Sequence, residues 1–169
     1  NNMFGAKLVT AGGFVLNDEL DDFTSTTTEK LFGVKRGPNF PRAGARPASS
    51  MTPTIVLKGD KPVLALGGSG GSRIATGCSQ VLLAVLAFGR PVGTAVSDPR
   101  FDTPATGGLL LDAAIPADVV ADLQKRGQVV DATKPNFSAV QAMSFGEKDG
   151  VRYIEAAGDP RKGGSGEVQ

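Results

Sequence analysis

Three observations predict an α+β fold with a largely antiparallel sheet. Strand-like and helix-like runs occur in groups along the 169 residues instead of alternating strictly. Two pairs of apolar runs are separated by short Gly/Asp/Lys turns, as in hairpins. One long stretch, residues 72–88, carries Ile74, Cys78, Val81, Leu82, Val85 and Leu86 at helical spacing.

Taken in order, residues 12–16 read as a strand that runs into the acidic cluster Asn17-Asp18-Glu19-Leu20-Asp21-Asp22. Residues 24–47 are rich in Thr, Gly, Pro and Arg without periodicity and read as a long loop, a class that is often functional. Thr54-Ile55-Val56-Leu57-Lys58 and Pro62-Val63-Leu64-Ala65-Leu66 flank Gly59-Asp60-Lys61 as a first hairpin. The main helix follows, with Gly89 placed to end it. A second short helix starts near Pro91, and an irregular stretch after Asp98-Pro99-Arg100-Phe101 holds one apolar run, Leu109-Leu110-Leu111. Residues 116–126 form a third helix, with Pro116 near its start, Val119, Val120 and Leu123 on its face, and Gly127 as its cap. Residues 139–145 and 151–156 make the final hairpin across Lys148-Asp149-Gly150. One domain is expected over residues 1–161, with a loose tail over 162–169.

Composition narrows the chemistry. Eighteen basic residues stand against 17 acidic ones, so nothing argues for nucleic acid or an anionic membrane. No apolar run is long enough to span a bilayer. The chain has no His, which removes Ser-His-Asp and Cys-His catalysis and His-ligated zinc from what it can do alone. Its one Cys, Cys78, lies on the apolar stripe of the main helix and reads as a small buried hydrophobe. Nothing calls for a cofactor.

Three constellations remain. Gly67-Gly68-Ser69-Gly70-Gly71-Ser72-Arg73 joins a strand-like run to the main helix and presents free N–H groups at the positive end of the helix dipole. It is neither a P-loop, having no Lys, nor a dinucleotide fingerprint, since the last glycine position counted from Gly68 is Arg73. It holds a phosphate, a carboxylate or an oxyanion, or it is only a tight turn. In the acidic cluster, four carboxylates in five residues favour a bound ammonium group, or form a solvated turn. Arg46-Pro47-Ala48-Ser49-Ser50-Met51-Thr52-Pro53 holds adjacent hydroxyls between prolines, suited to an α-carboxylate or to ordinary loop bonding.

Read together, Asn1-x-x-Phe4-Gly5, Leu16-Asn17-Asp18-Glu19-Leu20-Asp21-Asp22-Phe23, Arg46-Pro47-x-Ser49-Ser50-Met51-Thr52-Pro53-Thr54-Ile55-Val56 and Gly70-Gly71-Ser72-Arg73-Ile74 follow a known order. With Asp98-Pro99-Arg100-Phe101 and Gly158-Asp159-Pro160-Arg161, the chain resembles the small subunit of γ-glutamyltransferase over nearly its whole length. The resemblance implies an N-terminal-nucleophile hydrolase fold, an αββα sandwich made by self-cleavage of a precursor. It implies that Asn1, Glu19 and Asp22 bind the α-amino group of a γ-glutamyl donor and that Ser49 and Ser50 bind its α-carboxylate. The amides of Gly70 and Gly71 are then the oxyanion hole. The implied partners are the large subunit, which supplies an Arg, a γ-glutamyl donor such as glutathione, and water or an amino-acid acceptor. Export to the periplasm or beyond is also implied.

The family nucleophile is a Thr shortly upstream of the position matching Asn1. None of Thr10, Thr24, Thr26, Thr27 or Thr28 stands in its place, so no nucleophile is assigned within these residues. Asn2, Met3, Asp102 and Thr103 depart from the family pattern and bear on acceptor choice. The alternatives are an acylase of the same fold acting on glutaryl-type side chains, which gains little from Asp22, and a non-catalytic fragment.

Overall fold

Alternation along residues 61–69 decides which way the main sheet faces. In the computed structural model, which describes residues 8–25, 37–104, 107–131, 137–163 and 165–166, Leu64 and Leu66 are buried while Val63 and Ala65 are half-buried on the other side. The elements in order are β1 (Thr54–Lys58), β2 (Lys61–Ser69), α1 (Ile74–Leu86), α2 (Val92–Ser97), β3 (Phe101–Asp102), β4 (Leu109–Leu111), α3 (Ala117–Lys125), β5 (Val130–Asp131), β6 (Ala139–Lys148) and β7 (Val151–Ala157). Single 3-10 turns stand at Glu19–Asp22, Gly71–Arg73 and Pro160–Lys162.

The chain divides into two compact units, Asn1–Ser50 and Met51–Gln169. In the second, a four-stranded antiparallel sheet has the order β1-β2-β6-β7. Helices α1 and α2 cover one face. Their Ile74, Cys78, Val81, Val92, Ala95 and Val96 pack with Leu64, Leu66, Val140 and Ala142 of the sheet into one core. Each fully buried Val or Leu contributes roughly 1.5–3 kcal/mol to that layer. Cys78 is a free, buried thiol in it, as its place on the stripe requires.

The opposite face of the same sheet is apolar and open. Ile55, Met143 and Ile154 are 69, 41 and 42% exposed, and register places them beside Ala65, Ala156 and Phe145. Two cavities of about 490 and 480 Å³ open at this face, one lined by Val63, Phe145 and Ile154, the other by Ile55, Ala65 and Met143.

A second, three-stranded sheet, β3-β4-β5, pairs β3 with β4 antiparallel and β4 with β5 in parallel. Two of its strands have only two residues, too short for alternation to register in the sequence. The main helix begins with its apolar stripe at Ile74, later than the residue 72 expected, because residues 71–73 form a 3-10 turn before it. In the first unit the strand expected over residues 12–16 is a single bridge between Val9 and Val15. Gly12 and Gly13 lie in the turn of that bridge, where Thr10 accepts from the Gly13 amide at 3.0 Å, which leaves too few residues for a longer ladder.

Candidate active site

The glycine turn owes its shape to crowding on one side and openness on the other. Strand β2 ends at Ser69 opposite Ala139, and Gly70 turns out of the sheet with φ 142° and ψ 20°. A Cβ at Gly70 would stand 2.7 Å from the Cα of Ser138, a distance that side chains do not tolerate. Gly71 follows at φ 62° with nothing within 4 Å of a would-be Cβ. The Gly70 carbonyl accepts from the Arg73 amide at 3.4 Å, which closes the 3-10 turn. Among the described residues the Gly70 and Gly71 amides have no acceptor, and Gly71 is exposed. Two N–H groups at the entrance to a 13-residue helix are suited to a negative oxygen.

The acidic turn is built within the first unit. Glu19, Asp21 and Asp22 fall in one 3-10 turn, and the Asn17 side-chain oxygen accepts from the Glu19 amide at 3.2 Å. Glu19 and Asp22 are half-buried, while Ser49 and Ser50 are exposed on their loop. Asn39, which the sequence reading passed over, joins the two segments. Its Nδ2 donates to the Asp22 carbonyl at 2.8 Å and to Thr24 Oγ1 at 3.2 Å, its carbonyl accepts from the Thr24 amide at 3.0 Å, and its Oδ1 accepts from the Ala48 amide at 2.7 Å. One side chain thereby ties the residue after Asp21 to the residue before Ser49. The only signal was its setting, Gly37-Pro38-Asn39-Phe40-Pro41, where a stiff loop presents an amide that both donates and accepts. Asn1 lies outside the described residues.

The two Asp-Pro-Arg motifs, 59 residues or more apart in sequence, interlock in the second unit. Arg100 Nη2 lies 2.9 Å from Asp159 Oδ2, and both side chains are almost wholly buried. Arg161 donates to Asp112 and to the Asp98 carbonyl, each at 2.9 Å, and lies 3.3 Å from Asp159 Oδ1. Burial works against the Asp159 carboxylate, but the amides of Val140 and Arg161 and the guanidiniums of Arg100 and Arg161 outweigh it, so its pKa falls below the ordinary value. Asp112 is lowered too: burial opposes, and the Ala114 amide and Arg161 prevail. Burial lowers the Arg100 pKa against the pull of Asp159, which leaves it cationic.

A sequence profile of the gamma-glutamyltranspeptidase family matches residues 1–168. This chain belongs to the gamma-glutamyltranspeptidase family. It is 38% identical over 173 residues to a glutathione hydrolase proenzyme of a Pseudomonas species, covering 96% of this chain and 30% of that protein. The crystal structure of a Helicobacter pylori gamma-glutamyltranspeptidase mutant is 38% identical with a TM-score of 0.77, covering 92% of this chain and 86% of that one. A gamma-glutamyltranspeptidase from Pseudomonas nitroreducens, complexed with L-DON, is 35% identical with a TM-score of 0.74, over 98% of this chain and 88% of that one. The α+β fold seen here is thus the N-terminal-nucleophile hydrolase fold of the gamma-glutamyltranspeptidases. The chain spans 24–30% of the length of the first curated relatives it matches. Among its described residues, no helix is long and apolar enough to cross a membrane.

Proposed function

We propose that this chain is the small-subunit part of an enzyme that hydrolyses or transfers γ-glutamyl groups from glutathione and similar amides. The observation that carries the reading is the pair of Gly70 and Gly71 amides, without an acceptor among the described residues and held at a helix entrance in a family member. In this reading Glu19 and Asp22, with Asn1, take the donor's α-ammonium group, and Ser49 and Ser50 take its α-carboxylate. The scissile γ-carbonyl goes to the Gly70–Gly71 turn. The nucleophile is a Thr that precedes these residues in the full-length protein.

The Thr hydroxyl attacks the γ-carbonyl carbon and passes its proton to the free α-amine of the same residue. The carbonyl oxygen becomes negative and is held by the two amides. When the C–N bond breaks, the leaving amine takes up that proton and a γ-glutamyl ester remains on Thr. Water or an amino-acid amine then attacks the ester, releasing glutamate or a new γ-glutamyl amide and restoring the hydroxyl.

The open apolar face carrying Ile55, Met143 and Ile154 is the surface we assign to the large subunit cut from the same precursor, which supplies the second sheet of the sandwich. Family likeness also favours export from the cytoplasm.

A comparison of γ-glutamyl and glutaryl anilides on the assembled enzyme tests the reading. A strong preference for the γ-glutamyl substrate that collapses in Asp22→Asn is the expected result. Equal rates, or indifference to Asp22→Asn, would replace it with an acylase.

A further inference from the structure

We infer that the buried Arg100–Asp159 pair positions the Gly70–Gly71 turn, acting through Ser138. The inference rests on the reading of that turn as the oxyanion hole.

Ser138 is the residue against which the turn is shaped. The β2–β6 register ends with Ser69 opposite Ala139, so the next step along both chains brings Gly70 beside Ser138. On one side, the Cα of Ser138 lies 2.7 Å from where a Gly70 Cβ would be. On the other, its Oγ lies 2.0 Å from where a Cβ at Gly77 of α1 would be. Ser138 is 1% exposed, wedged between the turn and the helix that the turn enters. Interiors this dense transmit a shift instead of absorbing it. If Ser138 moves, Gly70 moves with it or loses its support.

What fixes Ser138 is the ion pair. Arg100 Nη1 donates to the Ser138 carbonyl at 2.5 Å, while Nη2 reaches the Val96 carbonyl at 2.6 Å and Asp159 at 2.9 Å. Asp159 Oδ2 in turn accepts the Val140 amide at 2.8 Å. The guanidinium therefore holds residue 138, the carboxylate holds residue 140, and each holds the other. A planar fork with several fixed donors suits this task, and an ammonium group does not replace it. Donors aimed at a developing oxyanion need a supporting shell good to about 0.5 Å, which a clamp two contacts away can supply. Arg100 and Asp159 touch no substrate in this account. They are positioning residues.

The test is a double-mutant cycle in the assembled two-subunit enzyme, with a γ-glutamyl anilide as substrate. Arg100→Lys keeps the buried charge but loses the fork. It should lower kcat about tenfold or more while KM changes little, because the loss falls on the transition state. Gly70→Ala should lower kcat as well, and the double variant should lose less than the product of the two single losses. Arg126→Lys, in the exposed Asp122–Arg126 pair of α3, serves as the unaffected control. Unchanged kcat in a folded, assembled Arg100→Lys enzyme beside a crippled Gly70→Ala overturns the positioning role alone, as do strictly multiplicative losses. Unchanged kcat in Gly70→Ala sinks the oxyanion reading itself, whatever Arg100 does. If Arg100→Lys fails to fold, Asp159→Asn is read by the same criteria. Failure of both to fold overturns the inference, since a pair required by the whole domain has no particular tie to the turn.

Discussion

Asn39 donates to the Asp22 carbonyl at 2.8 Å while its own side-chain oxygen accepts the Ala48 amide at 2.7 Å, so one residue spans from the acidic turn to the serine loop. Each bond contributes roughly 0.5–1.5 kcal/mol net, and their joint effect is to fix a separation. In Asn39→Ala, KM for a γ-glutamyl donor should rise about tenfold, the equivalent of roughly 1.4 kcal/mol, with kcat nearly unchanged. Steady-state kinetics check it, and a fall in kcat at constant KM would count against a role in donor binding.

The two glycines of the turn should respond differently to alanine. Gly70 is crowded by the Ser138 backbone, and Gly71 is open but sits at φ 62°. Gly70→Ala displaces the amide and should cost about 3 kcal/mol of transition-state stabilisation, a loss in kcat on the order of a hundredfold. Gly71→Ala should cost roughly 1–2 kcal/mol of stability through the left-handed conformation, with a smaller loss of kcat. Melting curves beside kcat for both variants decide whether crowding or strain governs the turn.

Acid should weaken the second unit through Asp159 and Asp112, whose pKa values are both lowered by their amide and guanidinium partners. A carboxyl with a lower pKa folded than unfolded binds more protons when unfolded. Its stabilisation is therefore complete above the unfolded value, about 4, and is lost as pH falls through the folded value. The melting temperature should hold between roughly pH 5 and 7 and drop steeply below about 4. Asp159→Asn should flatten that acid limb. It should also cost roughly 3–5 kcal/mol at neutral pH, because Arg100 is left buried without its partner. Calorimetry across the pH range measures both.

The open sheet face predicts an interface. Ile55→Asp or Ile154→Asp should each remove roughly 1.5–3 kcal/mol of apolar burial and weaken co-purification of the two subunits. Val129→Asp, at a 72% exposed position after α3, should leave it intact. Retention of the large subunit by both variants at the level of the unmutated protein would move the interface elsewhere.

The sequence made the main layers legible because they rest on local periodicity. The stripe from Ile74 to Leu86 and the alternation about Leu64 and Leu66 each declare a face within a dozen residues. Gly70 and Gly71 were legible as a turn, though not the reason for their shape, which is Ser138 more than 60 residues away. Asn39 and Arg100 reach across separations of 9 to 38 residues to carbonyls and amides, groups that every residue carries and no pattern marks. The two Asp-Pro-Arg motifs were visible only as family signatures. That one supplies the cation and the other the anion of a single buried pair is a tertiary fact.

That pairing sets an order of events as the chain is made. The glycine turn and its helix leave the ribosome first, Arg100 follows, and Asp159 comes nearly 90 residues after Gly70. Until it arrives the guanidinium has no anion, the start of β6 has no anchor, and the turn has nothing to be pressed against. The turn is thus completed by a residue made long after it. A nascent polypeptide cannot present the finished turn before Asp159 has been made.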